Sequence, residues 1–252
     1  MEHHHIVREF DIELQKLDNL IAELGGLAES QLADAVDALV NRDAERAQVI
    51  AAADARLDEL ERKIDELGID IMIRRQPMAS DLRIVIAALK TSSILERIGD
   101  YAKNIAKRTI ALSQMPAIGS VRSVQRMAEL AQSQIKMVLD AYLNRDVELA
   151  RDVRNRDQEI DSMHTSLFRE LLTYMMEDPR NITACTHLLF IAKNLERVGD
   201  HATSIAENLL FLIHGAMPED ARPKKDAAHY TVTDENDVVS TVPHGSDGEE
   251  KR

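Results

Sequence analysis

The chain repeats itself. LERIGD at Leu95–Asp100 returns as LERVGD at Leu195–Asp200, one hundred positions later. Asn41-Arg42-Asp43 returns as Asn144-Arg145-Asp146, and Asp54-x-x-x-Asp58 as Asp157-x-x-x-Asp161, both at an offset of 103. The three-residue difference falls in a turn, RRQPMASDLR in the first half and EDPRNI in the second, where loops absorb such changes most easily. A tandem duplication of one supersecondary unit accounts for the pattern, with a junction near Pro116 to Ser120.

Each unit reads as helical. Aromatics make up 3% of the chain and Trp is absent, while Ala, Leu, Ile, Glu, Asp and Arg dominate, which leaves little strand material. Pro77, Pro116, Pro179 and Pro218, with the two Asn-Arg-Asp triplets, delimit six helices over roughly 8–41, 43–75, 79–113, 121–143, 146–177 and 180–214. Leu57, Leu60, Ile64, Leu67 and Ile71 fall on a 3.6-residue period, as do Leu95, Ile98, Ala102, Ile105 and Leu112. Short connections force antiparallel neighbours. The prediction is therefore an all-α fold of two tandem antiparallel three-helix bundles, over 1–115 and 119–215. Gly25-Gly26 inside the first helix marks a close helix approach or a kink. Beyond Gly215 the period ends, and 216–252 is acidic and rich in Pro, Gly, Ser and Thr. It is expected to be a disordered tail, a docking strand near Tyr230 to Val232 or Val238 to Val242 being the less favoured alternative.

A formal charge of -13 excludes a general nucleic-acid binder, because neutralising phosphates takes an excess of Lys and Arg. No apolar run approaches the roughly 18 residues that span a bilayer, and the N-terminus lacks a basic-then-apolar signal layout. The expectation is a cytoplasmic protein without membrane insertion. The single cysteine, Cys185, lies in the apolar run ACTHLLFIAK and reads as a buried small hydrophobe. His3 to His5 read as a tag remnant or an unstructured end.

In Glu96-x-x-x-Asp100 the carboxylates sit one turn apart on a helix face, off the stripe Leu95, Ile98, Ala102, Ile105 and so on the flank of a bundle. Glu196 and Asp200, Asp54 and Asp58, and Asp157 and Asp161 follow the same spacing. A lone acidic pair is commonly a solvated position. Here the pairs recur in both halves and have few cations three or four residues away to offset their repulsion. Antiparallel packing can set Asp54 and Asp58 opposite Glu96 and Asp100, and Asp157 and Asp161 opposite Glu196 and Asp200. Four carboxylates per site suit a hard or borderline cation. His164 lies on the flank of Asp161 and either supports that site or faces solvent. Gly99 and Gly199 mark close helix contact or backbone access for a ligand, and Arg97 and Arg197 a surface salt bridge or a partner contact. Glu-x-x-His pairs of the ferritin type do not occur at these positions, nor do G-x-x-x-x-G-K-[ST], G-x-S-x-G or H-E-x-x-H elsewhere.

LERIGD and LERVGD, each following an Asp-x-x-x-Asp by about 36 residues, together with RRQPMASDLR and LLTYMMEDPR, resemble the PhoU family of phosphate-signalling regulators, from about residue 8 to 215. The resemblance implies two similar three-helix bundles with metal at E/D-x-x-x-D motifs. By motif match the metal positions are Asp54, Asp58, Glu96 and Asp100 in one half and Asp157, Asp161, Glu196 and Asp200 in the other. The implied cofactor is a divalent or multinuclear metal, with Mg, Mn, Fe and Zn as candidates. The implied role is non-enzymatic: a cytosolic accessory of the high-affinity phosphate ABC transporter that reports to a membrane sensor histidine kinase and keeps the phosphate-starvation response off when phosphate is plentiful. The expected partners are that kinase and the transporter's ATPase subunit, with a homodimer left open. The rival reading is a carboxylate-bridged metal-binding or iron-oxidising bundle.

Overall fold

In a computed structural model the backbone is described over residues 2–52, 55–119, 121–217, 231–233 and 239–241. The first half supplies α1 (Glu2–Asn41), α2 (Ala44–Ala52), α3 (Ala55–Arg75) and α4 (Ser80–Ser113). The second supplies α5 (Val121–Asn144), α6 (Val147–Glu177) and α7 (Ile182–His214), the last preceded by a 3-10 turn at Pro179–Asn181. The helix expected over 43–75 is described in two lengths, α2 and α3, because residues 53 and 54 lie outside the described residues. His3 to His5, expected in an unstructured end, fall within α1, since nothing before Asn41 interrupts the helix. The expectation of an all-α bundle fold holds.

The Asn-Arg-Asp repeats are helix-to-helix turns built in three residues. Arg42 and Arg145 both adopt φ 55, the left-handed conformation that closes a helix. Asp43 N–H donates to Ala38 O and Arg42 N–H to Leu39 O, with Asp146 to Ala141 and Arg145 to Tyr142 as the second copy. This is the Schellman arrangement, which satisfies carbonyls that the helix end leaves open. The same aspartates then start the next helix: Asp43 Oδ1 accepts from Arg46 N–H at 2.9 Å and Asp146 Oδ1 from Leu149 N–H at 3.0 Å. The 3-10 turn before α7 follows likewise from Asp178, whose side chain accepts from Arg180 N–H, and from Pro179 at the first position.

Helices α1 to α4 pack together, as do α5 to α7, and the halves join along α4 with α7 and α1 with α5. Gly25 makes the second contact possible, since a Cβ there would collide with the Leu139 side chain, whereas Gly26 has open space. Close approach, and not a kink, is the role of the glycine pair. Arg145 adds a two-pronged ion pair across the halves, at 2.9 and 2.8 Å to Asp18. Arg42 donates to the carbonyls of Leu112, Ser113 and Met115, tying the first turn to the end of α4. Helix α7 packs against α4, α5 and α6, and Cys185 is fully buried on it as expected.

In the region expected to be a disordered tail, Thr231–Thr233 (β1) pairs antiparallel with Val239–Thr241 (β2), Val232 opposite Ser240. These are the segments weighed as docking strands, and β2 lies against α6. The remainder beyond Met217 lies outside the described residues. Among the described residues no helix is long and apolar enough to cross a membrane.

Candidate metal centre

Both LER(I/V)GD motifs lie midway along the third helix of their bundle, and the glycine sets how near the neighbouring helices come. A Cβ on Gly199 would lie 2.9 Å from Asp157 Oδ1, 3.0 Å from Ile160 Cδ1 and 3.4 Å from Gln134 Oε1. On Gly99 it would collide with Leu57 Cδ1 and lie 3.5 Å from Gln31 Oε1. Leu57 and Ile160, like Gln31 and Gln134, are related by the 103-residue offset, so both copies build the same contact. The glycines therefore serve close helix packing. In the second half that packing brings Asp157 beside the backbone of LERVGD, the juxtaposition expected from antiparallel pairing. Asp54, the counterpart of Asp157, lies outside the described residues.

The placement of the second set on a solvated flank needs correction. Asp157 and Asp161 are each 1% exposed, and Glu196 and His164 are 4% exposed. The reason is periodicity: Ala150, Val153, Asp157, Ile160, His164, Leu167 and Leu171 form one helical stripe, all of it buried. Asp157 and His164 thus stand on the apolar face of α6, and Glu196 is buried on α7, which packs against α4, α5 and α6. Asp200 is half-buried. The first set differs: Asp58 is exposed, Glu96 is half-buried, and Asp100, 47% exposed in its side chain, meets Lys103 at 3.7 Å.

Burial pushes the Glu196 carboxyl up from the ordinary carboxylate range, a direction that nearby Asp200 reinforces while Lys193 and His164 oppose it. Lys193 Nζ stands 2.9 Å from Glu196 Oε1, and Oε2 is buried without a hydrogen-bond partner. Gln134 Oε1 is a second buried acceptor without a partner, and it faces Gly199. In the first half the sequence reading missed Glu61. Burial raises its carboxyl, as do Asp65 and Asp58, against the hydrogen bond from Ser93 and the charge of Arg97. The signal was available: Glu61 aligns with His164 at the same offset of 103. Among the described residues, no three His, Cys, Asp or Glu side chains converge closely enough to hold one ion.

The donor chemistry nevertheless fits a cation in the second half. Buried carboxylates need compensation, and oxygen donors suit hard cations. Glu196 Oε2 is a buried acceptor without a partner, Asp200 is near enough to raise its carboxyl, and Asp157 and Asp161 are buried on α6, which packs against α7.

The sequence profile of the PhoU domain matches residues 21–109 and 124–209, one match in each bundle. The phosphate-specific transport system accessory protein PhoU homolog of Rhizobium meliloti (strain 1021) is 54% identical over 228 residues, 90% of this chain and 96% of that protein. The protein of the same description from Caulobacter vibrioides (strain NA1000 / CB15N) is 49% identical over 223 residues, 88% of this chain and 97% of its own. The crystal structure of PhoU from Pseudomonas aeruginosa superposes with a TM-score of 0.79 at 39% identity, covering 82% of this chain and all (100%) of that one. The phosphate transport system regulatory protein PhoU from Streptococcus pneumoniae gives 0.74 at 29% identity, covering 83% and 99%. With a profile match in each bundle and relatives aligned along nearly their whole length, the chain belongs to the PhoU family.

Proposed function

We infer that this chain is a non-enzymatic regulator of phosphate homeostasis. It couples the high-affinity phosphate ABC transporter, through the ATPase subunit, to a sensor histidine kinase, and it represses the phosphate-starvation response and phosphate uptake when phosphate is plentiful. The observation that carries this reading is the near-complete alignment with a phosphate-specific transport system accessory protein at 54% identity.

A divalent or multinuclear metal belongs to the same reading. Asp157, Asp161, Glu196 and Asp200 would hold it in the second bundle, and Asp58, Glu96 and Asp100 with Asp54 in the first. The metal supplies positive charge that balances clustered carboxylates. The chain's part is to orient those oxygens: Gly199 admits Asp157 to the face of α7, and Lys193 holds one Glu196 oxygen and leaves the other to accept. The metal's positive charge would offset repulsion between Asp157, Asp161 and Glu196, groups of low solvent access where α6 packs on α7.

The test is disruption of the gene followed by growth in high phosphate. A phosphate-responsive reporter should remain expressed, and phosphate uptake should stay elevated. Repression as strong as in the parent strain would remove the regulatory reading.

A further inference from the structure

We propose that the seam between α4 and α7 is a docking groove for an acidic segment of a partner protein, gripped by Lys90, Arg97, Arg108 and Arg197. The two helices run antiparallel and meet where the repeats meet. Tyr101 and His201, the residues that follow the two Gly-Asp pairs, stack with ring centroids 5.4 Å apart, and the Tyr101 hydroxyl lies 3.0 Å from His201 Nε2. On one side of this central pair Arg108 covers the Phe190 ring at 4.1 Å; on the other, Lys90 lies 5.6 Å from the Phe211 ring and Arg83 donates to Leu212 O at 3.2 Å. Two cations, Arg108 and Lys90, are thus seated on aromatic rings to either side of the central pair.

Several features give the seam the character of a binding surface. In a chain of net charge -13, five cations (Arg83, Lys90, Arg97, Arg108 and Arg197) border one seam. Arg97 and Arg197 are the only cations in α4 and α7 that recur at the offset of 100, and both are exposed. Burial pushes the Tyr101 hydroxyl up while Arg197 and Arg97 pull it down, so both guanidiniums act on the middle of the seam. Asp200 and Asp100 act on the same hydroxyl, and Glu61 lies in range of Arg97. Phe190 is 51% exposed beneath Arg108, an apolar foothold at the seam.

The occupant follows from charge and shape. A strip two helices wide, running from Lys90 to Arg108 over about 27 Å, accommodates roughly eight extended residues. Guanidiniums favour carboxylates in bidentate pairs, and cations seated on rings keep their reach in register. A flat anionic bilayer suits it poorly, because the strongly acidic remainder of the molecule would be repelled. This inference rests on the adaptor reading and names the chemistry of a partner's contact segment.

The probe is a fluorescein-labelled ten-residue glutamate-rich peptide titrated into the purified full-length chain at low salt. Binding should weaken as salt rises. Arg97→Glu with Arg197→Glu should weaken it at least about ten-fold, and Arg97→Lys with Arg197→Lys should retain most of it. Arg56→Glu with Arg62→Glu, exposed cations on α3, should change it by less than about two-fold. Equal binding by the seam and α3 charge reversals overturns the proposal. So does capture by phosphatidylglycerol vesicles with no peptide binding, or a self-association in sedimentation that only the seam reversal abolishes, which would make a second copy the occupant. The titration reads the groove alone, while unchanged repression after gene disruption removes only the regulatory reading.

Discussion

Gly199 and Gly26 make opposite use of the same missing side chain. A methyl at Gly199 would stand 2.9 Å from Asp157 Oδ1 and 3.0 Å from Ile160 Cδ1, both buried, whereas at Gly26 nothing lies within 4 Å. Alanine adds about 1 kcal/mol of helix propensity at either place, but overpacking a filled contact costs about 1–3 kcal/mol. Gly199→Ala is therefore expected to lower the urea midpoint, by a net of about 1 kcal/mol, and Gly26→Ala to raise it slightly. Equal shifts would show that Gly199 has no packing role. Glu196 makes a pH prediction on the same footing. Its carboxyl is raised by burial, so the folded chain holds the proton more tightly than the unfolded chain. Stability from this group is present in acid and declines as pH rises from about 4.5 through the higher folded pKa. In chelator-treated protein, Glu196→Gln should flatten that decline and make the variant the more stable form at neutral pH. A steeper decline in the variant would contradict the assignment. Added Mn should reverse the order, because only the carboxylate gains from the cation.

The Asn-Arg-Asp turn ends one helix, begins the next and, through its arginine, fastens a distant element. Arg42 holds a left-handed backbone, which disfavours any side chain, and its guanidinium donates to three carbonyls at the end of α4. Removing those bonds by Arg42→Ala should cost about 2 kcal/mol in chemical denaturation, for a half-buried group. Arg42→Gly loses the same bonds but relieves the backbone, so it should be milder by about 1 kcal/mol. If the glycine variant were the worse of the two, the backbone strain would not be there. These turns were visible in the sequence because proline, asparagine and aspartate mark helix ends by local chemistry. Helix number and order followed from that punctuation and from the apolar period. What the sequence did not disclose was which off-stripe positions neighbours would cover. Glu96 and Glu196 occupy matching places on helices that each pack on neighbours of both halves, yet Glu196 is buried and Glu96 is half-buried. Asp157 and Asp161 were misplaced for a simpler reason. Their acidic character drew attention from a spacing that puts Asp157 between Val153 and Ile160 on a buried stripe.

The duplication has produced two bundles of one plan with unequal interiors. The plan persists in the glycine contacts, the glutamines beside them, the two turns and the arginines of the α4–α7 seam. The interiors differ where the carboxylates lie: Asp157, Asp161 and Glu196 are buried, Glu196 with an unpartnered oxygen, while Asp58 is exposed, Glu96 and Asp100 are half-buried, and Asp100 has Lys103 close by. His164 in one half and Glu61 in the other extend the difference, an imidazole against a further carboxylate. Charges attract a cation more strongly where water screens them less, and the second set has already been desolvated by folding. The second bundle should therefore bind Mn at least about ten-fold more tightly than the first, a difference of about 1.4 kcal/mol. Calorimetric titration of chelator-treated protein resolves this: Asp161→Asn should abolish the tighter phase and leave the weaker one, and Asp58→Asn should do the reverse. Loss of the tighter phase with Asp58→Asn instead would mean that the open carboxylates, free to gather round an ion, outweigh the buried ones fixed in their packing.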